Sequence, residues 1–115
     1  MAFDAVIQKI TVQESSITSP GHDAVIRAYP IKEGLTENFQ PGQPLAKDDN
    51  GKLLPYVQGG ADGADNYIGP CNEFCDVSKR DAAYVVVHGT VANDRLLEMT
   101  PGLAEIMELK QIWPV

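Results

Sequence analysis

Basic residues are scarce: nine Lys and Arg stand against sixteen Asp and Glu, a formal net charge of −7 at pH 7. Phosphate backbones and anionic lipid heads bind clustered cations, so this balance argues against a nucleic-acid or membrane-surface partner. Long apolar runs are missing too. The longest, Ala82 to Val87, falls far short of the ~20 residues that cross a bilayer. Cysteine is limited to Cys71 and Cys75, too few for a disulfide scaffold, and reduced thiols are the expectation. The start, Met1-Ala2-Phe3-Asp4, has no basic stretch ahead of an apolar segment, so no secretory signal is expected and synthesis is placed in a cytoplasm.

What is present suits one small β-rich domain. A chain of 115 residues has room for a single core and buries roughly two-thirds of the surface its unfolded state exposes. Hydrophobic residues make up 43%, and 8 prolines and 10 glycines imply many turns between short elements, which favours strands over a helix bundle.

Ala5 to Val12 is rich in Val and Ile, then runs into Gln13-Glu14-Ser15-Ser16 and Thr18-Ser19-Pro20-Gly21. Residues 1–22 therefore read as an arm that orders on meeting a partner, with an edge strand plus loop as the alternative. Residues 23–115 read as the domain. Ala24 to Ile31 is strand-like, and Pro30 confines it to an edge or ends it. Pro41-Gly42 is a type II turn signal leading into a strand near Gln43. Asn50-Gly51, between Leu45-Ala46 and Leu53-Leu54, predicts a hairpin. The stretch Gly59 to Asn66 reads as a flexible loop.

Tyr67-Ile68-Gly69 then looks like a short strand. Ala82 to Val87 reads as a buried strand that extends or kinks at Gly89. Thr100-Pro101 starts a helix of about ten residues, the hydroxyl capping and the proline filling the first position. Leu103, Ile106 and Met107 fall on its inner face, with Glu105 and Glu108 outward near the positive end of its dipole. Ile112-Trp113-Pro114-Val115 closes the sequence as an apolar strand-like tail. Its simplest role is core; the functional alternative is docking on a neighbouring copy.

No chemistry-bearing pattern stands out. Cys71-Xaa3-Cys75 with His22 and His88 supplies four potential zinc ligands, but neither spacing is that of a zinc site. A nucleophilic pairing of either cysteine with His88 lacks an orienting motif, and Glu73 and Asp76 would raise the thiol pKa. His88 is better read as an exposed or edge residue of its strand. The Gly59–Gly63 loop has no following Gly-Lys-Ser/Thr and makes no phosphate cradle. Counting twelve positions from Asp48 reaches Gly59, not the glutamate of a calcium loop. No catalytic residue, metal or cofactor is assigned.

The order of these features is more specific than any one of them. Pro41-Gly42-Gln43-Pro44-Leu45, Asp49-Asn50-Gly51-Lys52-Leu53, a Gly/Ala/Asp-rich loop before Tyr67-Ile68-Gly69, and Ala82 through Gly89-Thr90-Val91 before a short helix form a series that resembles the lambda-type head decoration proteins of tailed bacteriophages. The resemblance spans about Gly34 to Val115. It implies a mainly β fold with one short C-terminal helix (α+β), a compact β-barrel-like or β-tulip domain with an extended N-terminal arm. It also implies a homotrimer at local threefold positions on the outer capsid surface, with the major capsid protein as partner. On that reading Phe3, Val6, Ile7, Ile10, Val12 and Ile17 are the capsid-binding candidates of the arm. Tyr67, Pro70, Ile112 and Trp113 are the trimer-interface candidates. The chain departs from the family pattern in its two cysteines and in the apolar character of Ala5 to Ile10.

Two other readings stay open: a different virion subunit, of tail-tube or head-completion type, in rings of six, and a small thiol or metal enzyme using Cys71, Cys75 and His88.

Overall fold

A computed structural model describes residues 17–18 and 23–115. The elements are β1 (Val25–Pro30), β2 (Pro44–Lys47), β3 (Leu53–Pro55), β4 (Tyr67–Pro70), β5 (Ala82–Val91), a 3-10 turn (Asn93–Arg95), α1 (Pro101–Leu109) and β6 (Ile112–Pro114). One three-stranded sheet has the order β1-β5-β6 and the other β3-β2-β4. The fold is mainly β with one helix, as its turns and short apolar runs predict. Neither sheet closes on itself into a barrel. Two isolated bridges tie them together, Cys71 with Val85 and Ile31 with Leu53.

β5 is the spine. It pairs antiparallel with β1 from Ile26–Val86 to Pro30–Ala82 and parallel with β6 at Gly89–Ile112 to Val91–Pro114. Val86 and Val91 bury into one cluster with Ile17, Tyr67, Leu103, Met107 and Ile112, whereas Ala83 and Val85 bury into a second with Phe39, Leu45, Leu53, Cys71 and Cys75. A strand covered on both faces loses the polar alternation of a half-exposed one, which is why Ala82 to Val87 reads as an unbroken apolar run. The β1 register shifts between Val25 and Ile26, which pair with His88 and Val86, so a bulge falls at Val87, two residues before the position expected at Gly89.

Local chemistry accounts for the turns. The Gln43 amide donates to the Gln40 carbonyl at 3.0 Å, and Gly42 holds φ +82°, as a type II turn requires at its third position. Packing against the Arg95–Leu96 backbone also needs this residue to be small: a Cβ on Gly42 would stand 2.0 Å from the Arg95 carbonyl oxygen. In the β2–β3 hairpin only Gly51 has positive φ, the Gly51 amide donates to the Asp48 carbonyl at 3.0 Å, and the Asp48 amide to the Lys52 carbonyl at 2.9 Å. This is a type I turn followed by a left-handed glycine, one of the longer hairpin connections, not the two-residue Asn-Gly turn.

The loop from Gly59 to Asn66 is more structured than its composition suggests. Ala64 is buried, the Val57 amide donates to its carbonyl at 2.8 Å, and the Asn66 amide donates to that of Gly63 at 3.0 Å. Backbone turns satisfied internally hold a glycine-rich segment without help from large side chains.

α1 begins as predicted, with the Leu103 amide donating to Thr100 Oγ1 at 3.1 Å and Pro101 in the first position. Leu103 and Met107 are its buried residues and Ile106 packs beside them. Glu105 and Glu108 are exposed as expected, but no acid lies in the first turn. Glu108 sits in the last turn, so the expected dipole stabilisation of these carboxylates does not hold.

Candidate functional site

The two cysteines sit where a thiol is weakly reactive. Cys71 and Cys75 are free thiols inside the second cluster. Cys71 Sγ donates to the Glu73 carbonyl at 3.1 Å, and Cys75 Sγ to that of Ala82 at 3.8 Å. Burial pushes the Cys71 thiol up to about 12, and burial likewise raises Cys75, with Asp76 and Glu73 adding to it. A thiol held protonated is a poor nucleophile and a poor ligand. His88 is half-buried on the central strand, not an edge residue, and stands edge-to-face with Trp113 at 5.5 Å between ring centroids. Among the described residues no group of three or more His, Cys, Asp or Glu is placed to hold a metal ion. His22 lies outside the described residues.

Asp48, read at first only as part of a turn, proves to be its organiser. It is buried, and its Oδ1 accepts from the Asn50 and Lys52 amides, both at 2.9 Å, while Oδ2 meets Lys32 Nζ at 3.3 Å. The Lys52 amide first, then Lys32 and the Asn50 amide, hold its carboxyl below the usual range against desolvation. An Asp followed by Asn and Gly is the sequence signal for such an Asx-type turn. A cleft of about 360 Å³ opens beside this hairpin, between residues 30–35 and Val77, Arg80 and Asp81. Its lysines are committed, Lys32 to Asp48 and Lys52 to Glu33 at 2.8 Å.

Interaction surfaces carry more information. Of the arm candidates, Phe3, Val6, Ile7, Ile10 and Val12 lie outside the described residues. Ile17 is not an arm residue: it is 1% exposed within the first cluster. Thr18 bridges Val91, and the Ala92 amide donates to the Ile17 carbonyl at 2.8 Å. The domain thus reaches back at least to Ile17, six residues before the start read at Asp23. The polar texture of residues 13–21 hid it, because one Ile among Ser and Thr gives no periodicity.

Three trimer-interface candidates are also corrected. Tyr67, Pro70 and Ile112 are buried within their own chain, Tyr67 packing edge-on to Tyr56 at 5.4 Å. The terminal strand is spent on β5, and Trp113 alone of the four keeps partial exposure. The apolar surface that does remain comprises Val25, Val57, Phe74, Tyr84, Leu97, Leu109 and Val115. β1 is an edge strand, its outer side unpaired by any strand of the described residues. Among these residues, no helix is long and apolar enough to cross a membrane.

No protein-family model, no curated protein and no solved structure matches the chain.

Proposed function

We propose that this chain is a head decoration protein of a tailed-phage capsid, acting as a homotrimer on the outer surface at local threefold positions and bound to the major capsid protein. The carrying observation is the ordered series from the Pro41-Gly42 turn through the Asn50-Gly51 hairpin and the Ala82–Val91 strand to a capped helix and terminal strand. Ile17 pinned in the core directly after a strand-like, partner-seeking sequence supports an arm rooted in a rigid body. The bridges joining the two sheets support the compact, barrel-like part of the reading.

The activity is a clamp. A trimer that binds only the expanded lattice stabilises that lattice by mass action against the pressure of packed DNA. Once one arm has engaged, the other two bind intramolecularly, so weak single contacts suffice. Buried, protonated thiols fit a protein whose working parts are interfaces. The test is co-sedimentation with expanded, undecorated capsids: the full chain is expected to pellet with them and a variant lacking residues 2–15 to stay behind. A truncated protein that decorates normally contradicts the arm's role.

A further inference from the structure

We propose that Asn50 is a site of spontaneous modification, its side-chain amide converting to aspartate and isoaspartate through attack by the Gly51 nitrogen, and that Asp48 sets the rate by holding the backbone of the turn. The chain has asparagine at 38, 50, 66, 72 and 93, and only Asn50 is followed by glycine; the others precede Phe39, Tyr67, Glu73 and Asp94. The reaction brings the next residue's nitrogen against Cγ of asparagine, and glycine adds no Cβ to obstruct that approach. The site is open to water. Asn50 is exposed, and its carboxamide makes no hydrogen bond among the described residues. Nothing stands within 4 Å of where a Cβ on Gly51 would lie. By contrast, Asn66 Nδ2 donates to the Lys47 carbonyl at 2.8 Å, and Asn38 Oδ1 accepts from the Val77 amide at 3.0 Å.

The Gly51 nitrogen gives up its proton and bonds to Asn50 Cγ, the side-chain nitrogen leaves as ammonia, and a succinimide ring remains. Water then opens the ring. Opening at the side-chain carbonyl gives aspartate, and opening at the main-chain carbonyl gives isoaspartate, whose backbone runs through Cβ and Cγ. Water is consumed and ammonia released in equal amounts, with no change of oxidation state. The turn opposes the first step. The amides of Asn50, Gly51 and Lys52 all donate to Asp48, the first and third to Oδ1 at 2.9 Å and the second to the carbonyl at 3.0 Å. A type I turn keeps its third residue at ψ near about 0°, which sets Asn50 Cγ aside from the Gly51 nitrogen. Closing the ring rotates that bond and draws the Gly51 N–H off its acceptor, so the attacking nitrogen is the one the turn has committed. The products alter the hairpin in their turn. A new carboxylate joins Asp48 and Asp49, and isoaspartate adds a methylene to a connection whose length fixes the β2–β3 register.

The experiment incubates the full chain at neutral pH, native and unfolded in guanidinium, and follows the Asn50 peptide by mass spectrometry of timed digests, with ammonia release and isoaspartate measured alongside. Asn50 is expected to react in both states, while the other four asparagines serve as internal controls and stay largely unchanged. The native rate is expected to be about tenfold or more below the unfolded one, since opening the turn forfeits hydrogen bonds, two of them to a carboxylate. Native Asp48→Ala, shown to be folded by a cooperative denaturation curve, is expected to react severalfold faster than native wild type. An unfolded chain that spares Asn50 overturns the site. Equal rates in native and unfolded wild type overturn the protection by the turn, a comparison that needs no variant. Folded Asp48→Ala reacting as slowly as wild type overturns the part given to Asp48.

Discussion

Thr18 pairs antiparallel with Val91, and through this bridge the N-terminal segment is fastened to the far end of the central strand. The contact makes residue 17, not residue 23, the first anchor of the folded body among the described residues, with Ile17 sealed in the first cluster beside Val91 and Met107. Removal of residues 2–15 is therefore expected to leave the thermal midpoint nearly unchanged. Ile17→Ala is expected to cost about 2–4 kcal/mol through lost burial and a residual cavity, lowering Tm by roughly 10–20 °C for a domain of this size. Calorimetry on the two variants separates the arm from its root.

The thiols offer a second test. Their burial predicts that iodoacetamide labels native protein at neutral pH on the order of a hundredfold or more slowly than protein unfolded in guanidinium. Mass spectrometry over a labelling time course follows both cysteines at once. Rapid native labelling of Cys71 contradicts its placement in the core.

Gly42 joins two requirements at one site, a left-handed backbone in the turn before β2 and close approach to the Arg95 carbonyl. Gly42→Ala is expected to destabilise by at least about 2 kcal/mol, since strain and overlap act together. Gly34, with nothing near an added Cβ, serves as the comparison: alanine there meets the backbone strain without the overlap. Chemical denaturation of the pair measures the difference.

Much of the fold was legible because its signals are local. Thr100-Pro101 fixes the helix start, Pro41-Gly42 the turn into β2, and Ala82 to Val87 the buried strand, each through chemistry contained within a few residues. What was not legible depends on contacts distant in sequence. Nothing near Tyr67, Pro70 or Ile112 says that their apolar area is already used by β5, Tyr56 and α1. Nothing around Ile17 says that Val91 receives it. The Asp48 site was hidden for the same reason, since Lys32 meets Asp48 and Lys52 meets Glu33 across 16 and 19 residues of chain.

Acid sensitivity should trace to Asp48. Its folded pKa lies below the unfolded value, so the stability it contributes is present above the ordinary carboxylate pKa and is lost as pH falls through the depressed folded value. Asp48→Asn keeps an acceptor oxygen for the turn but removes the charge. The gap in Tm between wild type and D48N is expected to be largest near neutrality and to close as pH falls from about 5 towards about 2. Melts across that range check it, and a constant gap contradicts the assignment.

The most direct measurement of the whole account is electron cryomicroscopy of expanded, undecorated capsids incubated with the full chain. Density for three copies at each local threefold position, on the outer surface only, is the expected result. Capsids that stay bare at saturating protein, or density arranged in rings of six at a vertex or tail, contradict it.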